Sequence, residues 1–307
     1  MRVAVLGAGG IGGYYGARLA KAGHDVVFIA RGAHLEAMQE RGLTVRTPEG
    51  ESTLPVVAVA DPQGLDPVDL VLFCVKAYDT ESGARSIVPL VASDTTVLTV
   101  QNGVDNVVAI ASVVGTGAVL AAAVYAALQI AGPGVIARTG AEARIAFGEP
   151  GGAVTARTTC IAAAFERSGI AYQVSPDIDR ILWEKFLFIT GVGGVTALAR
   201  SGIGALVSSP EGRALLAASC DEIVTVARAE GASLGPEAAR AAIAQAEKLP
   251  APWRSSLARD LEDGRRLEVG ALSGAVVRRG RRLGIVTPVH QAIAACLSVH
   301  QPKTSGA

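Results

Sequence analysis

A short apolar run, Val3 to Leu6, passes directly into Gly7-Ala8-Gly9-Gly10-Ile11-Gly12 and then into a segment with helical character. No other feature constrains the fold as much. Gly7 permits a tight turn out of a strand, Gly9 lets main chain approach a pyrophosphate, and Gly12 lets the following helix pack closely on the sheet. The N–H groups at the helix start, around Gly10 and Ile11, then face the phosphates. The expectation is a dinucleotide site at the first turn of an α/β domain.

The end of the next strand refines the ligand. Asp25 to Ile29 is predicted as that strand, and an acidic residue that holds a ribose is expected about 20 residues after the glycines. The sequence has Ala30-Arg31-Gly32 there instead. A carboxylate would repel a 2′-phosphate, whereas a guanidinium pairs with it, so Arg31 points to NADPH. The plainer reading makes Arg31 a solvated loop charge.

Strand signals recur at Val56 to Val59, Leu70 to Val75 and Thr96 to Val100, with helical or loop segments between them. That alternation predicts a parallel, doubly wound sheet. Further strand-like runs follow at Val119 to Ile130, Gly134 to Ala137, Ala143 to Phe147 and Ile170 to Val174, with a helix at Ala153 to Ser168. From Pro176 onward the predicted elements are helices: Ile178 to Leu198, Glu211 to Glu230, Pro236 to Glu247, Leu267 to Arg282 and Pro288 to Val299. Two domains are expected, 1–175 and an all-helical 176–307, with residues 301–307 as a frayed tail.

With 28 basic and 28 acidic residues the formal charge is zero, which gives no global field to attract nucleic acid or a membrane surface. The one basic run, Arg278-Arg279-Gly280-Arg281-Arg282, is explained by a solvated face or a helix end. Val107 to Ala137 has no charged residue, yet glycines and Pro133 divide it, and it reads as buried sheet rather than a membrane span. The N-terminus does not suit a signal peptide, because glycines, Arg18 and Lys21 interrupt it. Cys74, Cys160, Cys220 and Cys296 show no ligand or disulfide spacing and are expected as reduced, mostly buried thiols of a cytoplasmic protein. His24, His34, His290 and His300 form no metal pattern and read as surface or turn residues.

Ligands of open parallel sheets lie beyond the strand C-termini. There the chain places Arg31, Lys76 after Leu70 to Val75, and Gln101-Asn102-Gly103 after Thr96 to Val100. Lys76 suits the cofactor or a substrate carboxylate, and Asn102 a hydrogen bond to the substrate or the nicotinamide side; both also suit ordinary loops. In the helical half, Lys185 stands alone in the apolar run Trp183-Glu184-Lys185-Phe186-Leu187-Phe188. Desolvation would lower its pKa toward the range useful for proton transfer, with Glu268 a candidate partner. Alternatively Lys185 snorkels to solvent and Glu268 is an exposed helix carboxylate.

Taken in order, the N-terminal G-x-G-x-x-G, Ile29-Ala30-Arg31-Gly32, Val75-Lys76-Ala77, Gln101-Asn102-Gly103, Trp183-Glu184-Lys185 and Ser255-Ser256-Leu257, with Asp260 and Glu268, resemble the ketopantoate reductase family over nearly the whole chain. The resemblance implies a Rossmann-type domain followed by a helical domain, NADPH as cofactor and a small 2-oxo acid as substrate. It further implies Lys185 as general acid, Glu268 as holder of a substrate hydroxyl, Asn102 and Ser256 as substrate ligands, and Lys76 beside cofactor and substrate. The apolar helical domain would support a homodimer.

One departure stands out. Members of that family carry asparagines four and eight residues after the lysine, where this chain has Ile189 and Gly193. Removing two amides from a pocket for a hydroxylated acid weakens recognition or redirects it toward a less polar 2-oxo acid or related carbonyl, with Thr190 or Ser273 as partial replacements. A third reading keeps cofactor binding and loses catalysis, leaving a sensor.

Overall fold

The structure is a computed structural model and describes residues 1–301. Its strands are β1 (Arg2–Leu6), β2 (Asp25–Ile29), β3 (Leu43–Thr47), β4 (Gly50–Leu54), β5 (Val57–Val59), β6 (Leu70–Phe73), β7 (Thr96–Thr99), β8 (Val119–Tyr125), β9 (Leu128–Gly132), β10 (Val135–Arg138), β11 (Arg144–Gly148) and β12 (Ala171–Val174). The larger sheet runs β12-β11-β8-β7-β6-β1-β2-β5. Its neighbours are parallel except β8 with β11. β6 and β7 are buried at every position, as expected of strands covered on both faces.

Register explains where a ligand belongs. Leu6 aligns with both Ile29 and Phe73, and Phe73 aligns with Thr99. β1, β2, β6 and β7 therefore end level, and the chain leaves them at Gly7, Ala30, Cys74 and Val100. Strand order reverses beside β1, which makes this edge the topological switch point.

A second sheet, β4-β3-β10-β9, is not among the sequence expectations. β3 and β4 form a hairpin around Pro48-Glu49, and β10 joins β3 in parallel from some ninety residues away. This sheet covers helix Gly10–Lys21, where a side chain at Gly13 would strike Ile136. The reading of 107–137 as buried sheet needs correcting twice. Its first part is the helix Asn106–Val114, and β9 is an edge strand whose three central residues are exposed.

The chain divides into two compact units, one comprising Met1–Gln101 and Asn106–Ile178, the other Asn102–Asp105 and the chain from Asp179. A single cut after residue 175 thus misses the strip 102–105. Beyond β12 every regular element among the described residues is helical. Ile178–Phe186 continues through a π-helical segment, Leu187–Val192, into Gly193–Ala199; Pro210–Ala229, Ala238–Glu247 and Pro288–Ser298 lie near the expected places. The short helices Ile203–Ser208 and Ser256–Glu262 span too few turns to show a period in sequence. The run 178–199 is long and apolar enough to cross a membrane by length and composition alone, and 61% of its most apolar window is buried inside the molecule.

Three further expectations change. The helix expected from Leu267 begins only at Ser273, because residues 268–272 close tight turns on the Glu268 and Val269 carbonyls. Gln301 is not frayed, since its amide donates to the Leu267 carbonyl at 2.8 Å and accepts from the Leu267 N–H at 3.0 Å; 302–307 lie outside the described residues. The thiols are free, but Cys160 and Cys296 are exposed rather than buried.

Candidate active site

At the first turn Gly7 has φ +91°, a conformation open to glycine at little cost. A Cβ on Gly12 would fall on the Gly7 carbonyl oxygen, so turn and helix touch through bare backbone. Gly9 differs, because a Cβ there would meet nothing within 4 Å. Gly9 caps helix Gly10–Lys21 without a side-chain hydrogen bond. An uncapped helix start beside an open glycine fits a pyrophosphate, whose charge the helix dipole favours. Gly10 and Ile11 open this helix, both only partly exposed.

Arg31 caps helix Gly32–Arg41 with an extended backbone. Its side chain is 87% exposed and pairs with Asp79 at 2.9 Å. That pair leaves most of the guanidinium edge turned to solvent, where a 2′-phosphate is a stronger partner than one carboxylate. Lys76 is exposed just before the short 3₁₀ turn Ala77–Asp79 that carries Asp79. Gln101, which the sequence offered only as part of a triplet, holds these loops together. Its amide nitrogen donates to the Val75 carbonyl at 3.0 Å and the Thr80 hydroxyl at 2.9 Å, while its oxygen accepts from Thr99 at 3.1 Å.

In the helical unit Lys185 lies on Ile178–Phe186, two residues before the π segment, and is partly buried. Burial pushes its ammonium down to about 8, against the opposing pull of the Glu268 charge. Glu268 is only 7% exposed and stands in a turn, which removes the exposed-helix alternative for it. Its segment is pinned on one side by Gln301 at Leu267 and on the other by Arg278, which donates to the Gly270 carbonyl at 3.0 Å.

The π segment changes the geometry of the lysine face. Its i→i+5 bonding puts more than 3.6 residues in each turn, so steps of four stay nearly in line, and Lys185, Ile189 and Gly193 share a face. No amide stands at either following position. The hydroxyls of Thr196 and Ser255 both donate to the Gly193 carbonyl, at 2.8 and 2.9 Å. A Cβ on Gly193 would lie 3.1 Å from that of Ser255. Thr190 and Ser273 are both fully buried; the Ser273 hydroxyl is bonded to His290 at 3.2 Å, whereas the Thr190 hydroxyl has no hydrogen-bond partner among the described residues. Ser256 is exposed at the first position of Ser256–Glu262, and Ser255 is its cap.

The basic run is more than a solvated face. Arg278 and Arg279 both bind Asp105, at 3.1 and 2.5 Å, and Arg279 also donates to the Val104 carbonyl at 3.3 Å. The Arg279 guanidinium lies 5.4 Å from the centre of the Trp183 ring. These two side chains therefore join the strip bearing Asn102, the helix bearing Lys185 and the turn after Glu268. The histidines also depart from expectation. His24 and His290 are buried and His34 is part-buried between two backbone segments, whereas His300 is exposed.

Comparison with known proteins finds matches over nearly the whole chain. Residues 3–152 match the family ketopantoate reductase PanE/ApbA and residues 177–301 its C-terminal part. A 2-dehydropantoate 2-reductase of Halobacterium salinarum is 37% identical over 96% of this chain and 97% of its own. The crystal structure of a PanE/ApbA family ketopantoate reductase from Ralstonia eutropha JMP134 superposes with TM-score 0.90 at 36% identity, covering 98% of both chains. D-mandelate dehydrogenase, solved with NADH and anilino(oxo)acetate, shares the fold with TM-score 0.89 at 22% identity and 98% coverage of each chain.

Proposed function

As the chain belongs to the ketopantoate reductase family of NAD(P)-dependent oxidoreductases acting on CH–OH groups, we propose that it reduces 2-dehydropantoate to pantoate with NADPH. The observation that carries this reading is Lys185, a partly buried amine coupled to the buried carboxylate of Glu268. A bound reduced nicotinamide supplies the hydride. The chain supplies the proton: Lys185 holds it at Nζ and passes it to the substrate carbonyl oxygen as negative charge builds there. Glu268 keeps the ammonium charged and receives a substrate hydroxyl, and Asn102 and Ser256 bind the remaining polar groups. The glycine turn with Gly7, Gly9, Gly10, Ile11 and Gly12 holds the pyrophosphate, Arg31 the 2′-phosphate, and Lys76 the neighbouring anionic groups. The free thiols suit a cytoplasmic setting.

A second reading keeps the chemistry and changes the acid. Ile189 and Gly193 on the lysine face, with the Thr196 and Ser255 hydroxyls already engaged, favour a 2-oxo acid with a less polar side chain. The test is NADPH consumption across a panel of 2-oxo acids that differ only in side-chain hydroxylation, with the 2-hydroxy acid product identified. Preference for 2-dehydropantoate by orders of magnitude removes the second reading, and no turnover of any acid removes both.

A further inference from the structure

His34 is the third residue of helix Gly32–Arg41, whose cap is Arg31. Among the described residues its ring binds two backbone groups and no side chain. The Gly134 N–H donates to Nδ1 at 3.0 Å, so the hydrogen sits on Nε2, which donates to the Ala8 carbonyl at 2.9 Å. Burial pushes this imidazole below its ordinary value, in keeping with the neutral form these two bonds require.

Ala8 lies between Gly7 and Gly9. The peptide that joins it to Gly9 is planar and trans, so a fixed Ala8 carbonyl turns the Gly9 N–H the opposite way, away from the His34 ring. Gly134 belongs to the turn between β9 and β10, where its own carbonyl accepts from Thr44 at 2.8 Å. One imidazole thus spans the glycine turn, the helix capped by Arg31, and the second sheet.

We propose that His34 is a positioning residue of the dinucleotide site, aiming the Gly9 N–H and holding the glycine turn in register with Arg31. This rests on the cofactor reading above. Glutamine and asparagine separate the two bonds. The Gln nitrogen reaches the place of Nε2 and keeps the Ala8 bond, whereas the Asn oxygen takes the place of Nδ1, keeps the Gly134 bond and falls short of Ala8.

The experiment measures NADPH and NADH dissociation constants by fluorescence titration, together with melting temperature, for wild type, His34→Gln and His34→Asn. Each variant forfeits one hydrogen bond, so both melt lower by similar amounts. NADPH Kd rises roughly five- to tenfold in His34→Asn and stays within about twofold in His34→Gln. Wild-type affinity in His34→Asn, or Kd values that follow melting temperature in both variants, overturns the role of His34 alone. Failure of the wild type to bind either dinucleotide overturns the cofactor reading and this inference with it.

Discussion

In the proposed function the glycine turn of the first unit and the lysine helix of the second use different parts of the chain. At the turn the proposed binding surface is backbone: side chains are missing where Gly7 bends, where Gly12 meets the turn and where Gly9 lies open. On the helix the proposed acid is one side chain, whose ammonium the charge of a carboxylate from a distant turn favours. A backbone site requires particular residues at fixed spacing, so it is written locally. A side-chain site requires a particular environment, and that is assembled by packing.

The comparison breaks most readily at Lys185. Lys185→Ala is expected to lower kcat roughly a thousandfold while NADPH Kd changes by no more than about threefold, a split read from steady-state kinetics beside fluorescence titration. Parallel loss of both would mean that the two functions are not separable. The mirror experiment is Gly12→Ala, whose new methyl falls on the Gly7 carbonyl oxygen. NADPH Kd should rise on the order of tenfold to a hundredfold, with kcat at saturating NADPH retained. A smaller and more selective effect is expected of Arg31→Ala, roughly tenfold weaker NADPH with NADH unmoved. Equal losses for the two cofactors would assign Arg31 to its ion pair with Asp79 instead.

That contrast also explains what the sequence disclosed. The glycine turn, the strand segments that follow it and the helical second half were legible because each follows from short-range spacing or periodicity. The second sheet was not, since β3 gains its parallel partner β10 only through a long-range pairing, and the hairpin at Pro48-Glu49 stands in a polar stretch. Lys185 was visible as a lone charge in an apolar run, yet the π segment that keeps Ile189 and Gly193 in line with it has no local signal. Glu268 was found, but on a helix that starts five residues later. Arg279 and His34 read as solvated face and surface or turn residue, and Gln101 stood out only within its triplet, because their partners are Asp105, Ala8 and Val75, each distant in sequence.

The most direct test of the account is kcat/KM against pH for the wild type and Glu268→Gln with NADPH and the best 2-oxo acid. Lys185 donates a proton only as the ammonium, and it titrates at about 8, so the wild-type value is level on the acid side and falls as pH rises through about 8. Glu268 holds that ammonium up, so Glu268→Gln moves the fall to lower pH. A profile that stays level well above pH 8, or a limb that does not move in Glu268→Gln, would contradict Lys185 as the acid.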